Sequence, residues 1–152
     1  MASLMYSKGL KKILDETIGV SSSTLKVMLL KTTYTADSDH DGVDDLSAYE
    51  LDATGYTDGY GGGGRMTATV TIGRDTTNNR VVLALDDITW TSIGGATNDT
   101  IGGAALIHET GGTDASSIPI AFFDLSDTPT NGSGITLDFT ALGSGGTIRF
   151  NV

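Results

Sequence analysis

The sequence predicts an all-β protein: a β-sandwich, jelly-roll or Greek-key like, with an N-terminal amphipathic helix and a long loop near residues 32–65, in one domain spanning 1–152. Three observations point there. Gly supplies 21 of the 152 residues, about twice its usual share of roughly 7%, and Thr supplies another 23 against two Pro; that mixture favours strands and tight turns over helices. From residue 24 onward, short alternating or apolar stretches recur between Gly and Asn pairs, the pattern of strands joined by turns. Leu, Ile, Val and Phe together number 36, above the roughly one-fifth share below which chains tend to stay disordered, so a core can form.

Residues 4–18 place Tyr6, Leu10, Ile13, Leu14 and Thr17 at helical spacing with lysines on the other side. Ser3 is the expected N-cap and Gly19 the expected stop, with Gly9 weakening the interior. A basic first turn and an acidic last turn oppose the helix dipole, so this helix requires packing through Leu10, Ile13 and Leu14. Strands are expected at 24–31, 66–72, 80–85, 87–91, 104–109, 118–125, 134–139 and 147–152, with Leu25, Val27 and Leu29 on one face of the first. Turns fall at Thr77-Asn78-Asn79, Gly94-Gly95, Gly111-Gly112, Asn131-Gly132 and 143–146. The stretch from Thr32 to Arg65 lacks sustained periodicity, and long loops of this kind are often functional.

Charge and composition then exclude function classes. The chain has no Cys, which removes disulfides, thiolate metal sites and Cys nucleophiles together. Its formal net charge is −10, and that charge is unevenly spread. All five lysines lie before residue 32 with only Asp15 and Glu16 against them, while four arginines face 17 acids in the remainder. An acidic body repels phosphate, so nucleic acid is not an expected partner, whereas the basic N-terminal segment can seek an acidic protein surface. No apolar run is long enough for a membrane helix, and no signal-peptide pattern opens the chain.

One local motif resembles a cation site. In Asp37-Ser38-Asp39-His40-Asp41-Gly42-Val43-Asp44-Asp45, acids at positions 1, 3 and 5 precede Gly at 6, as in loops that wrap Ca²⁺. Asp37, Asp39, Asp41 and Asp45 are the candidate ligands, with the Val43 carbonyl beside them. Position 12 is Ala48, where a bidentate Glu belongs, and Glu50 comes two residues late. Catalytic patterns are thin: His40 lies in the acidic loop, His108 reads as a half-exposed strand residue, and Asp86 and Asp87 point to opposite faces of a strand start. Trp90 reads as core, and the segment Gly59 to Arg65 lacks the Lys-Ser/Thr of a phosphate loop.

Several blocks resemble one family in order and spacing. Met5-Tyr6-Ser7-Lys8-Gly9 looks like the opening Tyr-x-Lys-Gly helix of the small virion structural proteins of tailed bacteriophages, the head decoration or cement proteins. Thr24-Leu25-Lys26-Val27 with Tyr34-Thr35 at the end of that block, Asp39-His40, Glu50-Leu51, Gly55-Tyr56-Thr57 and Asp86-Asp87-Ile88-Thr89-Trp90 resemble its later blocks, as do Ala104 to Gly112, Ile120 to Leu125 and Thr130 to Phe139. Gly42 departs from the family, which has a bulky residue there. The resemblance implies a non-catalytic virion protein on the capsid surface, assembled in the host cytoplasm, whose partners are the major capsid protein and further copies of itself as dimer or trimer. A neck, tail or baseplate component and a calcium-dependent binding module are the alternative readings.

Overall fold

The computed structural model describes residues 3–21, 24–139 and 148–151. The fold is all-β and sandwich-like. A five-stranded antiparallel sheet has the order β1-β8-β7-β2-β3, with β1 Leu4–Met5, β2 Leu25–Lys31, β3 Met66–Ala68, β7 Thr100–His108 and β8 Ile118–Pro129. Against it lie a three-stranded sheet, β10-β5-β4 (β4 Val70–Asp75, β5 Arg80–Leu85, β10 Ile148–Asn151), and a two-stranded ribbon of β6 Ile88–Trp90 and β9 Ile135–Leu137. All three line one core: Val27, Leu29, Leu106 and Phe123 from the large sheet, Leu83 and Leu85 from the small one, Trp90 and Leu137 from the ribbon. Among the described residues no helix is long and apolar enough to cross a membrane. The turn expected at 143–146 lies outside the described residues.

Most of the expected strands form, several with shifted ends. The 66–72 stretch is broken after Ala68 into β3 and β4, and the 104–109 and 118–125 stretches extend into the long hairpin β7–β8. The large sheet is also buried on both faces. Leu25, Val27 and Leu29 enter the main core as expected, while Met28 and Leu30 on the opposite face join a second cluster with Ala105, Ile107 and Phe122. Tyr6, Tyr34, Val43 and Leu46 cover that cluster. The long loop is therefore a lid on the sheet's outer face. It carries a short helix, α2 (Asp44–Ser47), and returns beside β2, where Leu51 N–H donates to the Leu29 carbonyl (3.0 Å) and Lys31 N–H to that of Tyr49 (2.8 Å).

The N-terminal helix departs most from expectation. Helix α1 spans only Ser7–Leu14, because Leu4 and Met5 pair with Phe122 and Ala121 of β8. Ser3 does not cap it; the Ser3 hydroxyl accepts from Asp124 N–H instead, and the extended N-cap position is Tyr6, whose phenol is buried. The helix ends at Asp15 with Glu16 at φ 59°, well before Gly19. Gly9 is the docking point rather than a weakness: a Cβ there would run into the Pro119 carbonyl oxygen and the Ile120 Cα of β8. Close backbone approach at Gly9 brings this helix onto the sheet. Ile13 packs against the main core, but Leu14 is 72% exposed, which overturns its expected burial.

Two substitutions separate these roles. Gly9→Ala should destabilise the fold by about 1–3 kcal/mol, since the added methyl has no room between helix and strand. Leu14→Ala should stay within about 0.5 kcal/mol, the ordinary surface range. Urea unfolding of the two variants beside the parent chain measures both.

Candidate functional site

The densest polar chemistry in the molecule is a buried ion cluster. Arg65 precedes β3 at the end of the long loop, with a side chain fully buried. Its Nε and Nη2 donate to the two oxygens of Glu50 at 2.8 and 2.6 Å, a bidentate fork. On the other side its Nη1 donates to Asp114 Oδ1 at 2.6 Å and to Glu109 Oε1 at 3.2 Å. Lys26 of β2 reaches the second oxygen of Glu109. Three carboxylates thus share two cations, brought from β2, the lid, the end of β7 and the 3-10 turn Asp114–Ser116.

Remaining lone pairs are used as well. Tyr56 O–H donates to Glu50 Oε1 (3.0 Å) while its oxygen accepts from Leu29 N–H (3.1 Å). Gly59 N–H donates to Glu50 and Gly61 N–H to Glu109, so the glycine-rich turn at 59–64 is tethered from below. Trp90 Nε1–H donates to the Gly64 carbonyl at 2.7 Å, and Gly64 lies flat on the Tyr56 ring, where a side chain would not fit. Burial opposes the Arg65 charge, but its bonds to Glu50 and Asp114 hold it firmly protonated. Burial and the neighbouring Glu50 charge push the Tyr56 phenol well above its usual value. Every polar group faces another one, and the cluster's chemistry is to hold the lid to the sheet.

The acidic loop is organised differently. Asp37 Oδ1 accepts from Asp39 N–H (3.0 Å), and Asp45 Oδ2 accepts from Asp41 N–H (2.9 Å) and Gly42 N–H (3.2 Å). The bonds from Gly42 and Asp41 lower the Asp45 pKa. The Val43 carbonyl accepts from Leu46 N–H, and Val43 N–H donates to the Ser117 carbonyl. Asp39 and Asp41 are exposed. Among the described residues no three His, Asp or Glu side chains form a group that could hold a metal ion. His40 turns inward: its Nδ1 lies 3.0 Å from the Tyr34 hydroxyl, which lies 2.7 Å from that of Tyr6. Loop, lid and N-terminus are joined by this chain of rings.

Sequence reasoning named Glu50 as a misplaced cation ligand and as part of a block resembling the family, and Arg65 only as the end of a glycine run. One signal was present: Arg65 is the sole Lys or Arg between Lys31 and Arg74, in a stretch crowded with acids. Trp90 is core, 5% exposed, as its strand pattern predicts. His108 is half-buried on β7. Its Nδ1 is buried with no hydrogen-bond partner, and desolvation lowers its pKa.

Two partly apolar features face outward. Helix α1 presents Leu14 beside Leu10 and Lys11, with Lys11 bonded to Asp15 at 3.0 Å. At the far end of β8 a groove of about 390 Å³ opens toward β9, walled by Leu125, Ile135 and Leu137. No family model, curated protein or solved structure matches the chain.

Arg65→Met should cost about 3–5 kcal/mol, because it strands Glu50 as a buried charge without a cation and leaves half-buried Asp114 without its partner; chemical unfolding measures the loss. The pH dependence has two limbs. Burial alone would raise the Glu109 pKa, but bonds from Lys26, Gly61 and Arg65 outweigh it and bring the value below the ordinary one. A depressed carboxylate stabilises the fold above its unfolded pKa, about 4.3, and that contribution disappears as pH falls through the folded value. Tyr56 has the opposite sign: with a raised pKa it stabilises fully below about pH 10 and progressively less above it. Melting temperature should therefore drop on both sides of a neutral plateau, with Glu109→Gln flattening the acid limb and Tyr56→Phe the alkaline one.

Proposed function

We propose that this protein is a non-catalytic structural subunit of a tailed-bacteriophage particle, a cement or decoration protein on the outer surface of the capsid that bridges neighbouring copies of the major capsid protein. One observation carries the reading. Many of the residues through which the sequence resembles that family also hold this fold together. Tyr6 and Gly9 seat the N-terminus on β8. Tyr34 and His40 bind the lid to it. Glu50 and Tyr56 form the core of the ion cluster, Trp90 locks the glycine turn, and Asp87 Oδ1 accepts from Phe139 N–H at 2.8 Å. Blocks that agree in order and serve one architecture support a shared fold more strongly than the same letters scattered over a surface.

The surface chemistry is in keeping with the role. An acidic body keeps free subunits soluble and away from packaged DNA, and a subunit repeated on a symmetric shell turns modest contacts into firm attachment by avidity. A rigid lid suits a protein whose task is to resist internal pressure.

The test is a particle reconstruction with copy number. Hundreds of copies on the outer lattice are expected, and particles lacking the protein should release DNA at lower temperature or under osmotic shock. Density confined to the portal, neck or tail would overturn the cement reading, and absence from purified particles would overturn the virion reading altogether.

A further inference from the structure

We propose that Asn131 is a self-modification site: an asparagine that deamidates through the backbone nitrogen of Gly132, and that the folded protein holds back through the 92–95 segment clasping its turn. Of the five asparagines only Asn131 precedes a glycine. A glycine has no Cβ, so the peptide nitrogen it carries is the least hindered in its approach to the neighbouring side-chain amide. Asn131 is exposed, which leaves that amide open to solvent.

The reaction needs only water. The Gly132 nitrogen loses its proton to solvent and attacks Asn131 Cγ, closing a five-membered imide. The Cγ–Nδ2 bond breaks, and Nδ2 leaves with the bonding pair, taking a proton from solvent to become ammonia. Water then adds to either imide carbonyl and reopens the ring as aspartate or as isoaspartate, in which the main chain runs through the side-chain carbon.

The fold opposes the first step. Gly132 N–H donates to the Ile93 carbonyl at 2.8 Å, so the proton that must leave is already held, and Asn131 Oδ1 accepts from Ser133 N–H at 3.0 Å. Two more bonds tie the turn to the same segment, from Ile93 N–H to the Ser133 carbonyl (3.1 Å) and from the Ser92 hydroxyl to the Gly132 carbonyl (2.8 Å). Asn131, Ser133 and Ser92 are all exposed, so the turn frees the nitrogen by lifting locally, without unfolding the core. The product then fits poorly. A Cβ at Gly94 would stand 2.8 Å from the Asn131 nitrogen, and Gly94 N–H is bonded in turn to the Thr54 carbonyl of the lid at 2.7 Å. Isoaspartate inserts a carbon into the main chain at this close approach and displaces the bonds on either side of it.

Peptide mapping of the full-length chain by mass, near neutral pH, follows the amide-to-acid change at each asparagine. In urea Asn131 should convert before any other. In the folded protein it should convert at least about tenfold more slowly, since a slow reaction of an opened state tracks how rarely that state forms. Ser92→Ala removes one tether at an exposed position and should speed the folded-state conversion severalfold, as the loss of one hydrogen bond implies, with the melting temperature close to the parent's. The isoaspartate form, separated by anion exchange, should melt below the parent, whereas Asn131→Asp, with the same charge and no added carbon, should melt with it. Equal rates in folded and unfolded chain, first conversion at another asparagine, a Ser92→Ala chain that converts no faster, or an isoaspartate form that melts with the parent would each overturn the proposal.

Discussion

The fold depends on one buried guanidinium. Arg65 stands where β2, the lid and the β7–β8 connection converge, and its fork of donors satisfies carboxylates on two sides at once. A lysine offers a point charge and no fork. Desolvating such a cluster is costly, and a well-packed apolar cluster of the same volume is often as stable. What the ions supply is direction: the fork fills both oxygens of Glu50 and reaches Asp114 and Glu109, which ties the lid to the sheet.

That position matters because the central sheet is apolar on both faces. Met28, Leu30, Ala105, Ile107 and Phe122 would form an exposed patch on the outside of a two-layer sandwich, the kind of surface that makes proteins associate without specificity. The lid covers it with few apolar residues of its own, Tyr34, Val43 and Leu46. Burial of these side chains and the ion cluster act on opposite ends of the same loop. Tyr34 adds a second anchor, with Phe122 5.4 Å and Tyr49 5.4 Å from its ring centre and hydroxyl contacts to Tyr6 and His40. A glycine-rich, acidic stretch that would be mobile by composition is held in place from both ends.

The same economy shapes the exterior. Lys26 and Arg65 are drawn inward and Lys8, Lys11 and Lys12 lie on α1, while beyond residue 31 the sequence sets four arginines against 17 acids and is strongly acidic. Such a body resists nonspecific contact with other acidic macromolecules. A short helix seated by glycine against a strand backbone leaves no room for a side chain between helix and sheet.

The sequence by itself determined the strands, the turns and the class of fold. Period-two alternation and turn chemistry act over a few residues, so Arg80 to Leu85 could be assigned to its residue and the Gly94-Gly95 turn found with both residues at positive φ. It also marked Trp90 as core. Only the tertiary structure decided which residues the long loop would meet. Periodicity in Leu25 to Lys31 shows one apolar face and cannot tell a strand buried on both sides from one with a wet face, because the covering residues lie elsewhere in the chain. Leu14 carries the helical pattern of a core residue, yet Leu4 and Met5 chose a strand partner in β8 and left it turned to solvent. Glu50 and Arg65 are 15 residues apart, and Glu109 and Asp114 more than 40 beyond. An ion pair leaves no local period, so long-range geometry alone turned scattered charges into the group that holds the fold.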